Sequence, residues 1–159
     1  MALKSAAHAA LDVERVRRSV SLTIVVTGDA ALRKLNRAFL GIDAPTDVLS
    51  FAAYETGVEP PSGEPAAPGG PPRPAWGHGH GQASTPIFLG DVIISLARAK
   101  AQAKIGGHAL IDELRLLVIH GVLHLLGHDH AAPEEKRRMW SAQAKALKRT
   151  GALIEEPAS

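Results

Sequence analysis

The chain has 159 residues, of which 45% are hydrophobic and 4% aromatic, with a formal net charge of +2 and no cysteine. This length suits one domain whose core is built from Leu, Ile, Val and Ala. The absence of cysteine excludes disulfides and thiolate metal sites, so histidine and carboxylate must hold any transition metal. The small positive charge does not by itself indicate nucleic-acid binding.

The sequence predicts a cytoplasmic protein that does not enter a membrane. No apolar run approaches the roughly 20 residues needed to span a bilayer. The first 20 residues lack the uninterrupted apolar core of a signal peptide.

The first third of the chain predicts alternating helices and strands. Residues 3–18 have helical composition, and the β-branched run 21–27 predicts a strand that ends at a Gly-Asp turn. Asp29 is expected to cap a helix over Ala30–Phe39, which Gly41 ends. A second strand is predicted over 46–54.

A segment rich in glycine and proline follows at 57–86, where these two residues make up 15 of 30 positions. Such a composition buries too little side-chain surface to offset the entropy of ordering, so we predict a flexible insertion. It contains Trp76, His78 and His80, for which a solvated loop is favoured over a lid or a metal-binding role.

The second half predicts one more strand and three helices. The strand covers 88–95, and Ser95 is expected to start a helix that runs through Lys104 before Gly106-Gly107. Residues 110–126 are nearly free of helix breakers, and Pro133 is suited to the first turn of a last helix. This mixture indicates an α+β fold.

Three histidines near the end of the long helix form a metal-binding pattern. His120 and His124 are four residues apart, so a helix directs both rings to the same side. Gly127 can adopt positive φ and reverse the chain, which allows His130 to return as a third ligand. Three protein ligands leave a fourth tetrahedral position for water, as in catalytic zinc sites. His128 is expected to lie outside the ligand set.

The same spacing occurs in metzincin proteases, which need Glu directly after the first histidine as general base. That position is Gly121 here, which has no side chain. A peptidase of that mechanism is therefore not expected.

These segments resemble the YbeY family of bacterial endoribonucleases. The run from His120 to His130 is similar to the family signature H-G-x-L-H-L-x-G-[YF]-D-H, with His128 in place of the aromatic residue. Residues 43–51 (DAPTDVLSF) and 89–95 (LGDVIIS) resemble two further family blocks in the same order. Glu113 and Asn36 also match family positions, and the resemblance covers about residues 20–150.

The resemblance implies a zinc-dependent endoribonuclease that prefers single strands. Its role would be to mature the 3′ end of small-subunit rRNA and to serve ribosome quality control. We then expect one YbeY-like domain over 1–159, with a small mixed sheet of about four strands flanked by about five helices. It would hold one Zn²⁺ ion and act on RNA, with ribosomal small-subunit proteins as further candidate partners. The oligomeric state is open, a monomer being one option.

Several residues are candidates for the catalytic groups. The family's arginine before the glycine of its R-G-x-D block is Leu40 here, and Leu cannot hold a phosphate as Arg does. Arg37, one helical turn earlier, is the candidate substitute. The general base is open between water on the zinc, Asp129 and His128, and Asp129 could instead orient a ligand ring.

Several other polar residues each have a functional and a structural interpretation. Arg98, Lys100 and Lys104 could contact RNA phosphates or simply form a solvated helix face. Asp47 and Asp91 could line the cleft or make strand-end hydrogen bonds. The alternative function is a metal-stabilised ribosome-assembly factor that binds RNA or a ribosomal protein without cutting it, and Leu40 favours it.

Overall fold

The computed structural model describes residues 1–53 and 86–154. These ranges form five helices and three strands, which confirms the α+β class with one strand fewer than the four expected. The 57–86 insertion lies, apart from Pro86, outside the described residues. The elements in chain order are α1 (Ala2–Val13), β1 (Val20–Thr27), α2 (Asp29–Leu40), β2 (Val48–Ala52), β3 (Ile87–Ser95), α3 (Leu96–Gly106), α4 (Leu110–Leu125) and α5 (Pro133–Thr150).

The sheet is mixed, as expected, with the strand order β1-β3-β2. Strand β3 pairs in parallel with β1 and antiparallel with β2, so it is the central strand. Leu89, Val92 and Ile94 of β3 are fully buried. This central position explains the almost continuous apolar run in the sequence of β3.

Helix α4 forms the middle layer of the protein. It packs against β2 and β3 on one side and against α1 and α5 on the other. Because neighbours surround it, apolar side chains are buried around most of its circumference. His120 and His124 therefore lie on a helix whose position is fixed by packing on several sides.

Gly121 lies where α4 approaches the sheet closely. A Cβ atom at this position would lie 2.5 Å from Cγ1 of Val92 on β3, far inside van der Waals contact. The Ser50 hydroxyl of β2 donates a hydrogen bond of 3.1 Å to the Gly121 carbonyl oxygen. Glycine is therefore required here by packing, and the residue after the first histidine faces the sheet.

Most helix ends follow the sequence prediction. The Ser95 hydroxyl caps α3 by accepting the Arg98 backbone N–H, Gly41 ends α2 with φ 68°, and Pro133 opens α5. The expected cap at Asp29 is wrong, because Gly28 is the N-cap residue and Asp29 is already helical. The Asp29 carboxylate instead accepts a hydrogen bond from Ser95 at the start of α3.

Two other elements are shorter than predicted. Helix α1 ends at Val13 rather than at residue 18, and Arg15 just after it adopts φ 56°. Strand β2 covers Val48–Ala52, within the predicted 46–54. Among the described helices, none combines the length and apolar character needed to cross a membrane.

Candidate metal centre

The structure brings His120, His124 and His130 together. Their candidate ligand nitrogens all lie within 4.8 Å of one another. The Nε2 atoms of His120 and His124 are 3.1 Å apart, and the ring of His130 lies 5.3 Å from that of His124 between centroids. His120 and His124 are half-buried and His130 is exposed, so the cluster opens to solvent on the His130 side.

The turn after α4 positions the third histidine. Gly127 has φ 95°, and the backbone N–H of His128 donates to the Leu123 carbonyl oxygen at 3.0 Å. Asp129 Oδ1 accepts the backbone N–H of His130 at 2.7 Å. The turn that the sequence predicted at Gly127 is confirmed, and Asp129 holds the main chain of His130.

Gln143 of α5 orients His120. Its Oε1 lies 3.0 Å from Nδ1 of His120, and the Gln143 side chain is only 4% exposed. With this oxygen as acceptor, Nδ1 carries the proton and Nε2 presents its lone pair toward His124. Such a partner fixes both the tautomer and the ring orientation of a metal-binding histidine.

The two half-buried histidines favour the neutral state. The pKa of His124 is lowered to about 4, chiefly by burial and also by the neighbouring His120 and His130, against smaller opposing effects of the His128 backbone and of Asp129. The pKa of His120 is also lowered, chiefly by burial, although the Gln143 hydrogen bond and the Asp47 charge oppose the shift. Both imidazoles thus have a free lone pair at neutral pH, as metal binding requires.

This donor set fits a transition-metal ion. Two nitrogens about 2.0–2.1 Å from a tetrahedral zinc lie roughly 3.4 Å apart, close to the 3.1 Å between the Nε2 atoms of His120 and His124. Three imidazole ligands without a thiolate suit zinc, copper, iron or nickel rather than magnesium or calcium. The three histidines can therefore hold one metal ion.

Two residues of the site, Gln143 and Trp140, are not predicted by the sequence. The Trp140 ring lies 5.8 Å from that of His120 and 6.1 Å from that of His130, and the Lys136 ammonium is 6.0 Å from the Trp140 centroid. The one sequence signal for Gln143 is that it is a polar residue on the helix face that also carries the buried Met139, and this signal does not identify its partner.

Asp47 lies at the start of β2 and influences the cluster. Its Oδ1 accepts the Val48 backbone N–H at 2.8 Å, and its Oδ2 accepts from Gln102 at 3.2 Å. Its negative charge acts to raise the pKa of His120. Both interpretations of Asp47 therefore have support, since it makes strand-end hydrogen bonds and its charge reaches the site.

The cationic candidates lie on other elements. Arg37 is exposed in the last turn of α2, and Lys100 and Lys104 are exposed on α3. Arg98 is engaged with Asp29, its Nε lying 3.5 Å from Oδ1.

His128 and Glu113 take part in contacts outside the ligand set. His128 Nε2 lies 3.0 Å from Glu14 Oε2, just after α1, and the histidine side chain is largely buried. Glu113 is buried and pairs with His108 at the corner between α3 and α4. Both pairs brace the ends of α4.

The fold and the site define a class: small α+β proteins with a three-histidine cluster, open on one side, at the end of a central helix. The family model described as "Endoribonuclease YbeY" matches residues 1–151. A Salinispora tropica protein of that name is 39% identical over 146 residues, covering 92% of this chain and 84% of the relative. One from Brevibacillus brevis is 40% identical over 144 residues, covering 91% and 82%. The chain therefore belongs to the YbeY family.

A solved structure supports the fold. The solution structure of TM1509 from Thermotoga maritima is similar with a TM-score of 0.54, covering 99% of this chain and 91% of the other. At 20% sequence identity, this likeness concerns the fold alone.

Proposed function

We propose that the chain is a metal-dependent endoribonuclease that cleaves single-stranded RNA. Its cellular role would be the maturation of the 3′ end of small-subunit rRNA and ribosome quality control, in the cytoplasm. The observation that carries the proposal is the cluster of His120, His124 and His130 in a chain whose relatives are named endoribonucleases. RNA is the substrate, and small-subunit ribosomal proteins are candidate partners.

His120, His124 and His130 would hold one zinc ion. A bound zinc ion supplies Lewis-acid polarisation of a phosphoryl oxygen and lowers the pKa of coordinated water toward 7. The chain contributes the orientation of the ligands: Gln143 holds the His120 ring, and Asp129 holds the main chain of His130. The exposed side of His130 leaves room for an RNA strand to approach.

Two residues are proposed to act on the substrate. Asp129 is exposed beside the third ligand, where its carboxylate can accept a proton from an attacking group. Arg37 is proposed to contact the phosphate, in place of the arginine that Leu40 replaces. Arg98, Lys100 and Lys104 on α3 are proposed to contact the RNA backbone further away.

Packing at Gly121 argues against a metal-dependent peptidase. In metzincins the residue at this position carries the general base. Here a side chain would run into Val92, 2.5 Å from the Cβ position, so it could not reach a substrate. The ligand spacing alone therefore does not support proteolysis.

A second candidate function is a metal-stabilised ribosome-assembly factor that binds RNA without cutting it. Leu40 favours this function, since it is 58% exposed and offers no group that can bind a phosphate. An intact ligand set would then serve stability and shape.

Cleavage of an unstructured RNA by zinc-loaded protein distinguishes the two functions. We expect the wild type to cut the strand, chelator to stop the cutting, and His124→Ala to be inactive while still folded. Binding of RNA by both proteins with cleavage by neither would favour the assembly factor. Casein cleavage that disappears with chelator would revive the peptidase.

The metal is tested by elemental analysis of the purified protein. We expect about one zinc ion per chain in the wild type and much less in His124→Ala, as the loss of one of three ligands predicts. Substoichiometric metal in the wild type after reconstitution with zinc would refute the site.

A further inference from the structure

A polar depression, separate from the histidine cluster, lies beside the turn that carries His130. It is an open groove of about 430 Å³ between the end of α1, the turn after α4 and α5. We call it the α5 groove. Its lining comprises Val13, Glu14, His128, Arg137, Arg138, Ser141, Ala142 and Lys145.

The polar lining of the α5 groove is mainly cationic. Arg137, Ser141 and Lys145 are spaced by four residues, so they form one stripe along α5. Arg138 adds another guanidinium next to this stripe. Within residues 1–53 and 86–154, none of the three cations forms an ion pair with a carboxylate, unlike Arg33, Arg98 and Arg115.

The one carboxylate in the groove already has a partner. Glu14 Oε2 lies 3.0 Å from Nε2 of His128, which reduces its repulsion of an incoming anion. Three cations and one hydroxyl then face the groove with one engaged acid. Guanidinium, ammonium and hydroxyl groups together are the usual ligands of a phosphate oxygen.

The groove adjoins the metal cluster through the main chain. His128, on the groove wall, lies between the ligands His124 and His130 in sequence. Gln143 and Trp140 are on the opposite side of α5 and contact the cluster. A strand bound at the exposed ligand His130 can therefore continue around the start of α5 into the groove.

From this arrangement we infer that the α5 groove binds a backbone phosphate of the RNA substrate, one or a few nucleotides away from the cleaved bond. This inference rests on the proposed endoribonuclease function and adds a subsite to it. It places a further RNA contact on α5, beside those proposed on α3. The groove cations act on affinity for the strand and do not take part in the reaction.

The test compares two double variants of α5 with equal loss of charge. Arg137→Gln/Lys145→Gln removes two groove cations, and Lys148→Gln/Arg149→Gln removes two from the last turn, outside the groove. Each variant is measured with zinc-loaded protein on a long unstructured RNA and on a dinucleotide. Binding to the long RNA is followed across salt concentrations.

We expect the groove variant to bind the long RNA roughly 10-fold more weakly and to lower the salt slope by about 0.7, as the loss of one phosphate contact predicts for a single strand. Its KM for the long RNA should rise while dinucleotide cleavage is unchanged, because a dinucleotide does not reach the groove. The control variant should match the wild type within about twofold. This difference between the two variants would show that a local contact, rather than the net charge of the protein, strengthens RNA binding.

Equal weakening by both variants, or none by either, would overturn the groove while leaving the nuclease function intact. Failure of the wild type to cut either RNA would overturn the nuclease function and the subsite with it. Metal content and melting temperature of each variant show that folding and the ligands are unaffected. A fall of dinucleotide cleavage in the groove variant would place its cations in the reaction itself and contradict the inference.

Discussion

The histidine cluster and the cationic surface of α2 and α3 are built in different ways. His120 lies on α4, which is packed on several sides, and its ring is held by the buried Gln143 of α5. Two cations of the α2 and α3 surface, Arg33 and Arg98, lie in solvent-accessible ion pairs, and in Arg33–Asp43, at 2.8 Å, the side chains are 56% and 53% exposed. Packing thus fixes the ligand geometry before a metal binds, whereas solvent screens the surface pairs. The difference predicts large effects of mutation in the first region and small ones in the second.

The largest effect is expected from Gly121→Glu. The new side chain would overlap Val92 and bury a carboxylate at the α4–sheet contact, so we expect a loss of about 3–5 kcal/mol in the free energy of unfolding. Urea denaturation measures the loss. The control is Ala101→Glu on the exposed side of α3, expected to change stability by less than about 0.5 kcal/mol. A stable Gly121→Glu protein with peptidase activity would contradict the packing argument.

Acid should destabilise the metal-free protein through His124. Its pKa is lowered to about 4 in the folded state, chiefly by burial, against about 6.5 in an unfolded chain. The unfolded state therefore takes up the proton first as pH falls. The free energy of unfolding thus has its full value above about pH 6.5 and falls by up to about 3 kcal/mol toward pH 4.

Denaturant unfolding of chelator-treated protein across this pH range tests the expectation. His124→Asn should lose much less stability than the wild type between neutral and acidic pH, since it lacks the titrating group. An identical loss in both proteins would show that other groups cause the acid sensitivity.

Replacing Gln143 should weaken metal binding without touching a ligand. In Gln143→Leu the His120 ring loses its acceptor, and we expect the affinity for zinc to fall by about 10–100-fold. Competition with a chromophoric chelator measures the affinity, and nitrogen NMR of metal-free protein reports the His120 tautomer. Gln143→Glu keeps an acceptor and should retain most of the affinity. If Gln143→Leu bound zinc like the wild type, Gln143 would only fill space.

The two regions also differ in how far the sequence predicted them. The proximity of the three histidines was predictable from His120, His124, Gly127 and His130, because helical spacing and a glycine turn are local properties of the chain. Gln143 could not be assigned in this way, since its contact with His120 joins residues 23 positions apart through the packing of α5 on α4. The order of the elements was likewise predictable from local patterns.

The errors in the fold prediction have a related cause. The Asp29 cap failed because its carboxylate is used by Ser95, 66 residues later in the chain, so a tertiary contact outweighed a local preference. Sequence spacing does not predict which of the exposed cations contact RNA, since solvent rather than a neighbouring residue surrounds them.

A moderate gain of activity is expected when the family's arginine is restored. Leu40 is exposed at the end of α2, so Leu40→Arg should be accommodated without loss of stability. One new charge-assisted contact to the phosphate would raise kcat/KM for RNA by roughly 10-fold, which corresponds to about 1.4 kcal/mol. Arg37→Ala in the wild type is the companion variant: if Arg37 substitutes for the missing arginine, its loss should lower kcat/KM. Unchanged activity in both variants would remove this end of α2 from the catalytic site.

The smallest effect is expected from Arg33→Ala on the same helix. Its guanidinium donates hydrogen bonds of 2.8 and 3.2 Å to Asp43, and this contact lowers the pKa of the Asp43 carboxyl and raises that of Arg33. Both side chains are open to solvent, so we expect the melting temperature to change by less than about 2 °C. A decrease several times larger, measured at low and at high salt, would show that this surface contributes to the fold. Mutations in this surface and in the histidine cluster would then differ only in the size of their effect on stability.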